Sequence, residues 1–303
     1  MMELTAFQRQ VAASAGEIEL RFEEPMAKHT SFRIGGGAEV MAFPRDAGQL
    51  ARLLEAAAEL GVFPRILGAG TNVLAPDEGL PGLTICLKDC LDGMERLDEN
   101  RIRVAAGVTM SRAAVFAANL GLSGLEFAHG IPGSVGGGVY MNAGAYGGEL
   151  CQVVESVQIM DRHGALRRVS GEDMGFSYRH SVLEETGELV VSADFRLTAA
   201  PVEKIRARMK ELIAKRSASQ PLDLPSAGSA FKRPAQGYAA ALIDQAGLKG
   251  YQVGGAGISS KHAGFAVNLG GATAADVRAL LEQVSEKVYA ASGIRLEPEI
   301  RIW

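Results

Sequence analysis

Two stretches of this chain have the residue types needed to hold an anion through main-chain nitrogens. The first is GAGTNV at 68–73, and the second is GIPGSVGGGVYMNAGAYGG at 130–148. Glycine reaches φ > 0 and permits close backbone approach, so successive amides can converge on a phosphate. The chain holds 37 glycines in 303 residues, about 12% against a usual ~7%, and they are clustered. The first loop begins like a G-x-G-x-x dinucleotide fingerprint. Such a fingerprint must open a helix, however, and this one runs into the turn residues APDEGLPGL. The Gly-Lys-Ser/Thr of a Walker-type loop is absent. Few cationic side chains lie in either loop, so main-chain donors would have to do the binding. Residue type and spacing leave two readings open, a nucleotide or flavin cradle and a pair of tight turns. A further cue is the closing LEPEIRIW, whose alternation sets Ile300 and Ile302 on one face and Glu299, Arg301 and Trp303 on the other. An ionisable functional face and a solvated strand face both fit that pattern.

The elements that must position these loops follow from periodicity. After a short N-terminal helix, Asp46 reads as an N-cap with Gln49 completing a capping box, and the helix LARLLEAAAEL stops at Gly61. Phe63–Leu67 reads as a strand entering the first glycine loop, with further strands at 83–87 and 101–105. Ser111 is expected to cap a helix ending near Gly121. Residues 127–148 carry no charge and are long enough to span a bilayer, but eight are glycine and Pro132 interrupts them, so a helix is not expected there. Leu189, Val191, Ala193, Phe195 and Leu197 alternate with Ser192, Asp194 and Arg196, the signature of a half-buried strand. Pro201 opens a helix with Val202, Ile205, Met209, Leu212 and Ile213 on one face, which puts a domain boundary near 198–201. Residues 237–247 read as helix and 265–269 as strand. Thr273 with Asp276 opens a last helix lined by Val277, Leu280, Leu281, Val284 and Val288.

Composition excludes several classes. With 47% hydrophobic and 22% charged residues the chain is neither disordered nor fibrous. A formal net charge of −4 without a Lys/Arg-rich run argues against nucleic acid or a membrane surface as partner. Cys86, Cys90 and Cys151 are too few for a disulfide framework, and no second pair completes a metal site, so none is expected. Glu3 and Arg9 break what would be the apolar core of a signal peptide, and a cytoplasmic protein is expected.

Seven motifs, HTSFRIGGGAE at 29–39, GAGTNVL at 68–74, GIPGSVGG at 130–137, NAGAYG at 142–147, YRHS at 178–181, GSAFKRP at 228–234 and PEIR at 298–301, stand in one order. In that order the chain resembles the UDP-N-acetylenolpyruvoylglucosamine reductase family, from about residue 29 to its end. The resemblance implies an α+β fold. An FAD-binding domain of the vanillyl-alcohol oxidase / p-cresol methylhydroxylase type occupies 1–200, in subdomains of about 1–90 and 91–200, and an α+β substrate domain occupies 201–303. The compact run from 179 to 229 suggests the shorter form of the family, without the substrate-closing insertion. FAD is implied to bind non-covalently, with His29 and His129 unmodified, at Gly68, Gly70, Thr71 and Asn72 and at Gly133, Ser134, Gly137, Asn142, Gly144 and Ala145.

The implied reaction takes hydride from NADPH through FAD to the vinyl group of a UDP-sugar enolpyruvyl ether, giving UDP-N-acetylmuramate. Negative charge then builds on a carbon and its neighbouring carboxylate. Arg179 suits that carboxylate because a guanidinium offers paired donors and stays charged. Glu299 is expected to be protonated, or to share a proton with the substrate, because burial raises its pKa, and Ser229 is the family's proton donor. Tyr178, Lys232, Arg233 and His262 are implied on the substrate side, with Lys232 and Arg233 as cations for the diphosphate. Outside the motif set, Arg179 would read as a surface arginine, Ser229 as a turn serine and Glu299 as a strand-surface glutamate. Two alternatives remain, an oxidase of the same superfamily acting on a small alcohol or phenol, and a nucleotide-sugar transferase or binding protein. A monomer is expected.

Overall fold

The computed structural model describes residues 4–88 and 90–303, and the chain divides into two compact units. The first comprises Met1–Phe22, Val40–Ala69 and Gly82–Lys215; the second comprises Glu23–Glu39, Gly70–Pro81 and Arg216–Trp303.

The first unit has two apolar cores. One lies under the helices Ala6–Ala15 and Ala47–Glu59, where Leu50, Leu53 and Leu54 pack with Val40, Leu83 and Ile85. Asp46 does cap the second of these helices, accepting from Gln49 N at 2.8 Å, but the Gln49 side chain reaches back to Arg45 N and not to the cap itself. The other core sits against an antiparallel sheet of Leu166–Ser170, Val154–Met160, Leu189–Arg196, Arg101–Ala105 and Met94–Arg96, in that spatial order. Leu189–Arg196 is its middle strand and is buried on both faces up to Phe195, which corrects the half-buried expectation. Asp194 tolerates this because Arg103 grips its carboxylate with two donors, at 2.7 and 3.1 Å, while Arg168 adds a further ion pair. The helix Met110–Asn119 is capped by Thr109, not Ser111.

The helix Val202–Ser219 puts Ile205, Met209 and Leu212 into this core, so the first unit runs on to Lys215 instead of ending near 200. The second unit is not the continuous stretch 201–303 either. Phe32, Ile34 and Leu74 belong to its core, which draws 23–39 and 70–81 into it.

In the second unit the strands Ser226–Ser229, Phe265–Asn268, Ala256–Ile258 and Gln252–Val253 form an antiparallel sheet in that order. The helices Ala239–Gln245 and Ala274–Ser292 share its core. Ala274–Ser292 starts at the expected Thr273/Asp276 capping box and buries Val277, Leu280, Leu281, Val284 and Val288. Each such side chain contributes roughly 1.5–3 kcal/mol, against about 1 kcal/mol for the cap, so burial sets this helix in place. Asp77 adds to the cap, accepting from Ala274 N and Ala275 N at 2.7 and 3.0 Å. Val73–Leu74 pairs in parallel with Arg301–Ile302, joining the end of the chain to the first glycine loop.

Candidate functional site

The strand Arg65–Leu67 delivers the chain into Gly68. A Cβ there would stand 2.7 Å from Ser134 Oγ, so the first glycine loop lies directly against the second. Gly70 has φ +63, and a Cβ on it would be 2.0 Å from the His29 carbonyl oxygen. No side chain fits at Gly70, and one at Gly68 would have to displace the Ser134 hydroxyl. Among the described residues, the amides of Gly68 and Ala69 in one loop and of Gly133 and Ser134 in the other donate to nothing in the chain. Ser134 is only 5% exposed. Leaving a buried donor unsatisfied costs about 1–3 kcal/mol, so the amide of buried Ser134, with those of half-buried Gly68, Ala69 and Gly133 beside it, suits an acceptor from outside the chain. The residues fit the phosphate-bearing portion of a dinucleotide such as FAD.

The second loop departs from expectation in one respect. Val135–Tyr140 (VGGGVY) is a short helix, begun by Ser134 Oγ accepting from Gly137 N. Tight packing explains it. A Cβ on Gly136 would be 2.9 Å from Ala106 Cβ, and one on Gly138 would be 2.8 Å from Met110 Sδ. The low helix propensity of glycine is overridden by a close approach that no other residue permits. Asn142, at φ +40 and 1% exposed, donates to Ser177 O at 3.0 Å and accepts from Cys151 N at 2.9 Å. Its side chain is therefore engaged inside the protein, and what it holds is the turn that bears Arg179. Gly144–Ala145 forms a hairpin with Gly148–Glu149, which leaves no room for a Cβ on Gly144.

Arg179 sits at the tip of that turn. Ser177 and His180 exchange backbone hydrogen bonds at 3.2 and 3.3 Å, leaving Tyr178 and Arg179 as the two corner residues. Arg179 has φ +57, a left-handed conformation costing a non-glycine residue roughly 1–2 kcal/mol. Strain of this kind persists where surrounding contacts over-determine it and is concentrated at functional positions. The contacts here are Asn142 on Ser177, buried Ser181 donating to Tyr140 O at 2.7 Å, and His180 set between Glu184 and Glu185 at 3.2 and 3.3 Å. Arg179 Nη2 lies 3.5 Å from Gly144 O, and its guanidinium carbon is 5.0 Å from the half-exposed Tyr178 ring.

Ser229 and Glu299 come together in the second unit. Opposite the two steps from Val267 to Phe265, the strand Ser226–Ser229 takes three, a bulge with Gly228 at φ +79. The bulge sets the direction of Ser229, whose hydroxyl has no hydrogen-bond partner among the described residues. One residue on, Ala230 O accepts from Glu299 N at 2.9 Å, and Asn72 Nδ2 donates to Glu299 O at 3.3 Å. Glu299 is half-buried, and Ile302, expected to share the inner face with buried Ile300, is 44% exposed. Lys232 pairs with Glu297, and the Arg233 guanidinium lies 4.1 Å from the exposed Tyr238 ring. His262 meets Phe265 edge-on at 5.1 Å, and its Nδ1 accepts from Gly264 N at 3.1 Å. Burial, with Lys249 nearby, holds this imidazole below its ordinary pKa and favours the neutral form, leaving Nε2–H as its donor. His29 bonds Glu24 at 2.9 Å and His129 bonds Ser111 at 3.1 Å.

Residue-by-residue reading did not single out Tyr238, His180 or Ser31. His180 and Ser31 lie inside YRHS and HTSF, so motif membership was the available signal; Tyr238 follows Gly237 in a turn and carried none.

Residues 38–170 match the FAD binding domain family, and residues 220–303 match the C-terminal domain of UDP-N-acetylenolpyruvoylglucosamine reductase. The UDP-N-acetylenolpyruvoylglucosamine reductase of Agathobacter rectalis is 44% identical over 98% of this chain and 98% of its own length. The crystal structure of the Thermus caldophilus enzyme of that name superposes with a TM-score of 0.79 at 36% identity, covering 95% of this chain and 99% of that one. An alkyldihydroxyacetonephosphate synthase structure shares the fold alone, with a TM-score of 0.50 at 14% identity over 66% of this chain and 42% of its own. The fold is α+β, with an FAD binding domain matched over 38–170 and the reductase C-terminal domain over 220–303. With matches of that extent along its whole length, and with paired glycine loops suited to a dinucleotide, the chain belongs to the UDP-N-acetylenolpyruvoylglucosamine reductase family.

Proposed function

We propose that this chain is an FAD-dependent oxidoreductase that reduces the enolpyruvyl ether of UDP-N-acetylenolpyruvoylglucosamine to UDP-N-acetylmuramate in peptidoglycan precursor synthesis. Bound FAD supplies the hydride, which originates from NADPH. The chain's own residues do the rest. Amides of Gly68, Gly133 and Ser134 hold the cofactor's phosphates, with Gly70, Thr71, Asn72, Gly137, Gly144 and Ala145 shaping the loops around it. Asn142 contributes by fixing the loop.

As the vinyl group is reduced, charge grows on the carbon beside the substrate carboxylate. Arg179, permanently cationic, offers that carboxylate paired donors from a strained turn held in one pose by the contacts around it. Ser229 delivers the proton to carbon, its hydroxyl having no partner among the described residues to compete. Glu299 is the second acidic group of the scheme, beside Ser229 in the second unit. Lys232 and Arg233 supply positive charge for the UDP diphosphate, with Tyr178 and His262 completing the substrate side. The observation that carries the reading is the hydrogen bonding within the second unit, which ties the Asn72 side chain of the cofactor loop to Glu299 O and Glu299 N to the residue after Ser229.

This reading takes the chain as the shorter form of the family, because the run from 179 to 229 is filled by Leu183–Thr186, Leu189–Arg196, Thr198–Ala199 and Val202–Ser219. It also takes the chain as a cytoplasmic monomer that engages neither nucleic acid nor membrane, in keeping with a net charge of −4. The test is a purified protein showing a flavin band and oxidising NADPH only when the enolpyruvyl nucleotide is present. A colourless protein, or oxygen-dependent turnover without NADPH, would refute it. Ser229→Ala should let NADPH bleach the flavin while product formation stops, and Glu299→Gln with full turnover would remove Glu299 from the mechanism.

A further inference from the structure

The motif HTSF at 29–32 has so far entered neither cofactor binding nor the reaction, yet its serine touches the segments responsible for both. Ser31 Oγ donates to Ser226 O at 2.7 Å and lies 3.4 Å from Gly70 O, while Ser31 N donates to Gly70 O at 2.9 Å. Gly70 belongs to the first glycine loop, and Ser226 opens the strand that ends at Ser229.

That strand is at the edge of its sheet. Asn268 N donates to Pro225 O at 2.9 Å on the inner side, and Ser226, opposite Val267, turns its carbonyl outward where no strand can meet it. The Ser31 hydroxyl takes the place of that missing strand. Beyond Ser226 the extra residue of the bulge enters, and the strand regains register only at Ser229 opposite Phe265. Alternation makes the placement of this extra residue decisive. A slip of one position would exchange Ser229 with fully buried Ala230, turning the hydroxyl toward the core.

We propose that Ser31 is a positioning residue for the proton donor: its hydroxyl pins the start of the bulge that aims Ser229, while its amide pins the same loop to Gly70. The inference rests on the reading of Ser229 as the donor. Ser31 itself touches no reacting atom in this scheme. A misplacement of about 1 Å at a reacting group can cost ~10²-fold in rate, so loss of the pin should fall on the half-reaction in which the substrate takes up hydride and proton, and not on flavin reduction.

The experiment uses FAD-loaded protein and anaerobic rapid mixing to time two half-reactions, flavin reduction by NADPH and re-oxidation by the enolpyruvyl nucleotide. Ser31→Ala should leave reduction within about two-fold and slow re-oxidation by roughly 10- to 100-fold. Ser31→Thr, which keeps the hydroxyl, should restore it. The double variant Ser31→Ala/Ser229→Ala should re-oxidise no more slowly than Ser229→Ala, because Ser31 acts only through Ser229. Gly228→Ala is an independent probe: at φ +79 with no atom within 4 Å of the added carbon, it perturbs the bulge without a clash and should give the same signature even if Ser31→Ala does not fold. Re-oxidation at the wild-type rate in Gly228→Ala, or in a folded Ser31→Ala, overturns the proposal, as does equal slowing of both half-reactions. Wild-type re-oxidation in Ser229→Ala overturns instead the donor reading beneath it.

Discussion

The apposition of HTSF and the first glycine loop can be tested at Gly70. An alanine Cβ there would lie 2.0 Å from His29 O, 3.0 Å from its carbonyl carbon and 3.1 Å from Thr30 Cα. All three are main-chain atoms and cannot rotate away. Carbon–oxygen contacts ordinarily begin at about 3.3 Å, so the two loops would have to part by more than ~1 Å, straining the 2.9 Å bond from Ser31 N to Gly70 O. The left-handed φ adds roughly 1–2 kcal/mol and overpacking roughly 1–3 kcal/mol, which together give about 2–5 kcal/mol for Gly70→Ala. Gly247→Ala is the matched control in the same unit. Its φ of +72 carries a similar conformational penalty, but nothing lies within 4 Å of the added carbon, so only about 1–2 kcal/mol is expected. Urea titrations of the two variants, with and without added FAD, give the stability difference, and the flavin band of the purified proteins gives cofactor retention. Gly70→Ala should be the less stable and should lose FAD. Equal stabilities with full flavin in both would refute the claim that contact with His29 shapes the cofactor loop.

Other consequences concern thiols and charge. Burial, with Asp46 nearby, pushes the Cys90 thiol up to about 12, and Cys86 is buried beside it, whereas Cys151 is exposed. A thiol reagent at pH 8 should therefore modify one cysteine in the folded protein and all three in denaturant. Asp194→Asn should destabilise the first unit by about 1.5–3 kcal/mol in urea, since a buried neutral amide replaces the carboxylate that Arg103 and Arg168 hold. A hydrogen bond from Arg167 holds the Glu188 carboxyl below its ordinary pKa. Because the folded value is the lower one, that stabilisation is present above the unfolded carboxylate pKa and is lost as pH falls through the folded value. Glu188→Gln should flatten this part of the acid limb in a pH series of urea midpoints.

Local signals predicted elements well where the periodic face and the buried face coincide. The helix Ala274–Ser292 begins at its expected capping box and buries all five residues of its apolar stripe. Signals failed where distant chain decides the environment. The alternation in Leu189–Arg196 reads as a solvated face, but neighbours on both sides and two arginines let Ser192 and Asp194 go inside. Glycine content argues against any helix in 130–148, yet contacts with Ala106 and Met110 make glycine the residue that lets Val135–Tyr140 pack as one.

The linear sequence by itself determined the glycine loops, the helix starts at Asp46 and Thr273, and an order of motifs specific enough to name a family. Each depends on residues within a few positions of one another, where backbone freedom and side-chain type suffice. Only the tertiary structure decided that 23–39 and 70–81 fold with the C-terminal unit, that Arg301–Ile302 pairs with Val73–Leu74, and that Ser31 bonds Ser226 across 195 positions. Those choices are made by apolar side chains finding a shared core and by main-chain carbonyls and amides finding partners, and the main-chain groups are the same in every residue but proline. No reading of side-chain pattern could say which of them would meet.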